Sequence, residues 1–461
     1  MAALVAQSNF RRCPALALRP AAISRSSITA TPRGSVTSGG RPAHDTHSQM
    51  SAESENTVRT APLGETVRST ALPRFLLLYA AMYAAFGVAS PFLPALVNAR
   101  GVPAAQLGLV LSAGTAIRLL TAPLAGRLGD LIQGLRLVLV GCLVLAAGVT
   151  LGYLPAQGFW PFLVLSLGHA AALAPVTILA DALALGAAVP PPDSARRGFE
   201  YGWVRGTGSA AFIGGTLLAG QAVSAWGLDV IVGLQALLLG AAAVAARRVP
   251  ELRHTRTAAA VGAPAGGVRQ LLRLPRFRQL VLVAALVLGS HAMHDAFAVI
   301  RWRAAGVSPA LVSVLWSESV AAEVLVFFLL GPMLVTGLTP AGALVVAALA
   351  GLVRWAVMAQ STAVLALALV QPLHGLTFAL LHLACMRLLA RIVPPGLEGT
   401  AQALYGTVGI GATSAGLTLV SGVLYARVGA QGFWAMVALC VLAVPLAWPL
   451  RQPADSASGA P

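Results

Sequence analysis

From Leu72 to Leu450 the chain is a succession of apolar segments, each near the roughly 20 residues an α-helix needs to cross a bilayer. They fall at 74–97, 106–126, 135–156, 160–188, 202–225, 228–246, 279–300, 311–335, 340–359, 362–390, 400–425 and 430–449, about twelve in all. Lipid offers a spanning backbone no water, so segments of this length must close their hydrogen bonds internally, as helices. Composition agrees: 57% of residues are hydrophobic, 10% are charged and the mean hydropathy is +0.80, whereas soluble domains are about 25% charged. The expected fold class is an all-α membrane protein of about twelve transmembrane helices in two six-helix halves.

The division into halves comes from the only long polar interruption. It gives a first half over 72–246, a basic linker over 247–278, a second half over 279–450 and a tail over 451–461. Residues 1–71 form a Ser-, Thr-, Pro- and Arg-rich extension with no spanning segment, and such composition is expected to be disordered. Its Arg- and Ser-rich, acid-poor start fits a targeting segment. In-frame upstream sequence of a GC-rich genome fits as well, with Met50 as the true start.

All 31 basic residues are Arg, and the formal charge is +16. They gather in short polar gaps rather than on one face, which argues for membrane loops and against nucleic acid. With the N-terminus inside, the inner loops hold Arg127, Arg136, Arg196 and Arg197, the linker Arg247, Arg248, Arg253, Arg256, Arg269, Arg273, Arg276 and Arg278, and the later gaps Arg387, Arg391 and Arg451. The outer loops hold little beyond Arg100, Arg303 and Arg427. Both termini should be cytoplasmic.

Cys13, Cys142, Cys385 and Cys440 have no metal-ligand or disulfide spacing. No nucleophile–base or phosphate-loop spacing occurs either, so neither an enzyme nor a metal or other cofactor is expected.

Ionisable residues nonetheless lie well inside the helices: Asp181, Asp295, Glu318 and Glu323; Arg118, Arg205 and Arg354; His169, His291, His374 and His382. The stretch "GSHAMHDAFAVIRW" (289–302) holds His291, His294 and Asp295 together. A charge at a helix centre costs about 2.5–3.5 kcal/mol, so these groups must face one another or a watery path. His291 and Asp295, four apart, share a face and can hydrogen-bond. Glu318 and Glu323 are roughly 140° apart around a helix, so one of them should point squarely at the path. Plain structural roles remain open: a buried hydrogen bond for His169, an interfacial Arg205–Glu200 pair, a buried Arg354–Asp181 pair.

Two six-helix halves joined by a basic linker is the plan of the major facilitator superfamily. The loop "GRLGDLIQGLR" resembles that superfamily's signature at Gly126, Leu128, Asp130 and Arg136, with its second glycine displaced to Gly134. The resemblance implies a gating loop in which Asp130 and Arg136 latch neighbouring helices. Further stretches resemble the 3-phenylpropionate transporter family, akin to lactose-permease-type proton symporters. They are "TDALA"-like residues about Asp181 ("LADALA" here), "YGWVRGTGSAAFIGG", "GSHAMHDAFAVIRW", "LWSESVAAEVLVF", "GLVRWAVM", "PLHGLTFALLHLACMR" and "GFWAMVAL". Arg118, Asp181, Arg205, His291, Glu323, Arg354, His374, His382 and Arg387 stand where that family has the same residue. Asp295, Glu318 and Arg301 depart from it, the family having an aromatic, an aliphatic and an aromatic residue there.

The resemblance implies a proton-coupled importer of a small organic solute such as an aromatic carboxylic acid. It makes Arg118, Arg205, Arg354 and His374 candidate substrate ligands. Glu323 is the candidate proton carrier, with His291, Asp295, Glu318 and Asp181 as further coupling groups. A uniporter or exporter of the same fold, or a non-transporting receptor, are the alternatives. The expected partners are the solute, protons and membrane lipid, and the expected setting is a monomer in a bacterial inner membrane.

Overall fold

A computed structural model describes residues 71–188, 198–251 and 266–451. The expectations for residues 1–70, for Arg196, Arg197, Arg253 and Arg256, and for the tail beyond Arg451 lie outside the described residues. Within them every regular element is helical. Nine helical stretches are long and apolar enough to cross a membrane, and Leu135–Leu151 is a shorter apolar helix. Tyr201–Trp226 is a further 26-residue helix. The last of the nine, Glu398–Arg451, spans 54 residues and reverses at Gly429, whose φ of 55° suits a residue without a Cβ. The set is consistent with twelve crossings.

In chain order these are α1 (Leu72–Ala99), α2 (Ala104–Leu131), α3 (Leu135–Leu151), α4 (Phe159–Leu173, resuming as Val176–Ala188), α5 (Tyr201–Trp226) and α6 (Val230–Arg248). The second series is α7 (Pro275–Gly289, resuming as Ala292–Ala304), α8 (Pro309–Leu325, prolonged to Gly337), α9 (Pro340–Gln360), α10 (Val364–Val370, prolonged to Ile392), α11 (Glu398–Leu404, prolonged to Val428) and α12 (Phe433–Ala447). A short helix, Gly267–Arg273, precedes α7. Starts are marked by proline in the first turn of α7, α8 and α9, where the missing N–H has no helical partner anyway. The side chains of Ser308 and Thr339 cap α8 and α9, accepting from the amides of Leu311 and Gly342.

The packing repeats. In the first series α1 lies against α5 and α6, α3 against α6, and α2 against α4; in the second α7 lies against α11 and α12, α9 against α12, and α8 against α10. Between the series α2 meets α11, α8 meets α5, and α1 meets α7. Advancing every number by six maps one set of neighbours onto the other. That is the signature of two repeats about an axis along the membrane normal.

The apolar core is unequal along that axis. One cluster draws on both series at the end where α1 finishes, including Phe92, Leu96, Leu107, Val223, Met293, Phe297, Leu315, Trp355 and Phe433. Toward the other end the core divides: one cluster (Phe75, Tyr79, Leu139, Leu183) lies in the first series and another (Leu280, Leu344, Leu380, Tyr405) in the second. The two series are thus sealed together at the α1 C-terminal end and packed separately at the opposite end.

Three helices of the second series carry π-helical turns: Val326–Leu330 in α8, Gly375–Leu380 in α10 and Tyr405–Ala412 in α11. Such turns cluster at functional sites. One begins directly after His374 and another three residues after Glu323.

The loop between α2 and α3 shows what the displaced glycine does to the turn. The superfamily pattern's second glycine falls at Gln133, which adopts a left-handed φ of 50°, while Gly134 is at −140°. The displaced glycine therefore leaves the turn geometry in place and puts a side chain where glycine fits with least strain. Arg136 sits just beyond, its Nε 3.1 Å from Glu251 and its Nη1 donating to the Val249 carbonyl at 3.1 Å. It ties the start of α3 to the end of α6. Gly126 lies on α2 with open space beside it, and Asp130 falls in the last turn of α2.

Candidate functional site: a polar cleft between the two series

Arg354 is the hub of the second series. On α9, with no exposed surface, its Nη2 donates to Gln371 Oε1 at 2.8 Å and lies 3.4 Å from His294 Nε2, and its Nη1 lies 3.1 Å from His374 Nδ1. A guanidinium can only donate, so both imidazoles face it with their unprotonated nitrogens. Their N–H groups then point away, each at a carboxylate: His374 Nε2 at Glu323, 3.5 Å away, and His294 Nδ1 at Asp295, 3.0 Å away. One buried cation is linked through two rings to two acids. The guanidinium also lies over the Trp355 ring, 4.6 Å from its centroid, and His294 stacks on Trp316 at 4.9 Å. Arg354 Nε has no hydrogen-bond partner among the described residues.

His291 stands apart from this relay. Its Nδ1 is tied back to the Leu288 carbonyl at 3.1 Å and its Nε2 to Thr377 Oγ1 at 2.9 Å. The His291–Asp295 hydrogen bond that the spacing allows does not form. The helical turn between them is intact, the Asp295 N–H donating to the His291 carbonyl at 2.9 Å, but the His291 ring is held by Leu288 and Thr377, and Asp295 bonds its immediate neighbour His294 instead. Glu323 is buried while Glu318 is half-exposed, with no hydrogen bond or ion pair among the described residues. His382, buried, reaches Tyr405 Oη from Nδ1 at 3.3 Å.

The first series contributes a different chemistry. Asp181 on α4 accepts hydrogen bonds from Tyr79 on α1 and from Tyr201 on α5, the latter at 2.5 Å. Arg205, one turn along from Tyr201, donates to Tyr83 and lies over its ring at 5.2 Å. Both proposed structural pairs are corrected here: Arg205 does not pair with Glu200, which is exposed, and Asp181 meets tyrosines rather than Arg354. His169 does take the buried role open to it, 3.2 Å from Gln235. Arg118 on α2 is half-buried with its Nε unpartnered, within electrostatic reach of Tyr153 and His169.

The two chemistries face each other. Arg205 and Tyr83 lie within electrostatic reach of Glu323 on the opposite series. The cleft thus has a half-exposed guanidinium on one wall and a buried carboxylate–imidazole pair on the other. Arg354, expected as a solute ligand, is enclosed behind His374 and His294 and offers no surface to a solute. The sequence singled out most of the charges, but it missed the hydroxyls of Tyr79, Tyr83, Tyr201 and Thr377 and the amide of Gln371. Tyr79 and Tyr83, four apart on α1, were the one available signal. Among the described residues no cluster of His, Cys, Asp and Glu could hold a metal ion.

Known proteins agree with this architecture. The MFS_1-like family model matches residues 72–436. The probable 3-phenylpropionic acid transporter of Escherichia coli strain K12 is 32% identical over 79% of this chain and 94% of its own. The maltose permease of Geobacillus stearothermophilus is 25% identical over 82% of this chain and 93% of its own. Among solved structures, the nucleoside transporter NupG superposes with a TM-score of 0.68 at 17% identity, covering 83% of this chain and 98% of that one. A bacterial homologue of the human lysosomal transporter Spinster superposes at 0.63, also at 17% identity, covering 84% and 98%. With the model spanning most of the chain and transporters on every side, the protein is a multi-pass membrane transporter, not an enzyme, and belongs to the MFS_1-like family of the major facilitator superfamily.

Proposed function

We propose that the protein imports a small organic anion of the aromatic carboxylic acid class together with a proton. The observation that carries the reading is the Glu323–His374 contact, 3.5 Å, buried in one wall and within electrostatic reach of Arg205 in the other. A symporter needs a group that takes up a proton when the cleft opens to one side and gives it up when it opens to the other. Glu323 is placed for this, because a protonated Glu323 no longer competes with the solute for Arg205. Arg205 then holds the solute carboxylate, since a guanidinium fork matches that group with two parallel hydrogen bonds. Arg118, unpaired on its Nε, is the second anchor. His374 orients the Glu323 carboxylate, and Asp181 with its two tyrosines holds α1, α4 and α5 in register behind Arg205. His291 and Glu318 are secondary proton sites, Glu318 because it is half-exposed without a partner.

The likeness to the 3-phenylpropionic acid transporter supports the substrate class. The separate cores at one end of the two series support rocking of 72–246 against 279–450 about the sealed end, with 247–278 as the tether and Arg136 and Asp130 as the gating loop. The setting is a bacterial inner membrane, both termini cytoplasmic, and the working unit a monomer.

Purified protein in liposomes, with and without an imposed proton gradient, tests the reading. Glu323→Gln should lose gradient-driven accumulation of a labelled aromatic acid but keep exchange of solute across the membrane, because exchange needs no net proton release. Full accumulation by Glu323→Gln would remove Glu323 as the carrier. Accumulation in the wild type that ignores the gradient would make the protein a uniporter.

A further inference from the structure

Asp295 has no role in the scheme above, and its surroundings are unusual. Between Val283 and Arg303 it is the only residue in an exposed setting. Its side chain keeps 64% of its accessible surface, although Ala292, Ala298, Val299 and Trp302, its neighbours on the same helical face, are buried. The opening points away from most of the segment's other exposed positions. At 100° per residue, Ile300, Arg301 and Ala304, partly or fully exposed positions of the same segment, lie roughly 120–180° around the helix from Asp295, and the partly exposed Arg303 roughly 80° from it. Asp295 is also within electrostatic reach of His291, His374 and Arg354, so its exposed carboxylate lies beside the cleft that the partly exposed His374 borders.

Its hydrogen bonding is half used. His294 Nδ1–H engages Oδ1 at 3.0 Å, and Oδ2 has no partner among the described residues. Arg354, behind His294, balances the charge. What remains is a fixed, accessible acceptor that would repel a carboxylate and welcome a donor. It lies at the far end of the Asp295–His294–Arg354–His374–Glu323 relay from Arg205, the proposed carboxylate anchor.

We infer that Asp295 selects the solute's second polar group, accepting a hydrogen bond from a hydroxyl on the end remote from the carboxylate. The preferred cargo is then a ring-hydroxylated aromatic acid rather than the bare acid. This rests on the aromatic-anion reading and narrows it. A site built to receive a donor discriminates strongly against the analogue that lacks one, because the site's own acceptor is then buried unpaired.

The test is competition for uptake in liposomes among 3-phenylpropionate, 3-(4-hydroxyphenyl)propionate and 3-(4-methoxyphenyl)propionate. The methoxy compound keeps the ring oxygen but cannot donate. The wild type should favour the hydroxyl compound over both others by about tenfold or more. In Asp295→Ala that preference should fall to about twofold or less, and in Asp295→Asn, which keeps one acceptor oxygen and the side-chain size, to an intermediate value. Because the readout is a ratio, a general loss of folded protein does not mimic the result. Uptake of all three with a ratio that both variants leave unchanged would overturn the inference alone. Uptake of none by the wild type would overturn the aromatic-anion reading and this inference with it.

Discussion

The sealed end of the cleft depends on two helices touching backbone to backbone, and that contact can be loosened by one methyl group. On α2 and α11, which belong to different series, Gly108 and Gly422 face each other. A Cβ on Gly422 would stand 2.7 Å from Gly108 Cα and 2.9 Å from the Ala104 carbonyl oxygen. Both obstacles are main chain, so no side chain can swing aside. Ordinary contact begins at 3.4 Å, and close-packed interiors absorb little, so the helices must part by roughly 1 Å. Overpacking of this kind costs about 1–3 kcal/mol. If the contact exists only when this end is closed, the whole penalty falls on one state and shifts the open–closed equilibrium by about 5- to 150-fold. Gly422→Ala should therefore expose Leu107, which is fully buried in the cluster shared by both series. The measurement is the labelling rate of Leu107→Cys by a membrane-impermeant thiol reagent, in a background lacking Cys13, Cys142, Cys385 and Cys440. Gly416→Ala, also on α11 but with nothing within 4 Å of its added Cβ, is the matched control. Faster labelling in Gly422→Ala only is expected. Equal rates in folded protein would mean either that the seal does not open in transport or that the backbone yields freely, and the argument would fail.

Three other outcomes are expected. Gln133→Gly should raise stability by about 0.5–1 kcal/mol, since it removes the cost of a side chain at a left-handed φ; a lower thermal midpoint in detergent would contradict this. Arg205→Ala should weaken solute binding by about 2–5 kcal/mol, roughly 30-fold or more, and Arg205→Lys should recover only part because it lacks the fork; unchanged affinity in both, read by isothermal titration, would move the anchor to Arg118. Reporter fusions after Arg253 and at the C-terminal tail should both read cytoplasmic, and an external tail would overturn the in–in orientation.

The fold was legible because the bilayer does most of the specifying. Segment length, the lack of water for the backbone and the arginine-laden gaps each follow from the solvent rather than from subtle packing. Segment ends were less legible. The stretch expected over 135–156 ends as a helix at Leu151, α7 begins at Pro275 rather than 279, and α4 and α7 each break midway. A hydropathy window averages over such breaks, and the π-helical turns leave no trace in it, because one extra residue per turn changes neither composition nor length.

The site divides along the same line. Each intramembrane charge costs enough to be noticed singly, so the inventory of acids, arginines and histidines could be read one residue at a time. Pairing could not, because it depends on which helices touch. Tyr79 and Asp181 lie 102 positions apart, and nothing local to either announces the other. The one pairing inferred from spacing, His291 with Asp295, is not made although the turn between them is helical, the Asp295 N–H donating to the His291 carbonyl at 2.9 Å: the four-residue rule says which side chains can meet, not which partners on other helices win them. The contact with Thr377 on α10 is what leaves the other two residues to different partners. With His291 turned back to Leu288 and Thr377, His294 is the imidazole that reaches Arg354, and Asp295 is left beside the cleft with an oxygen to spare.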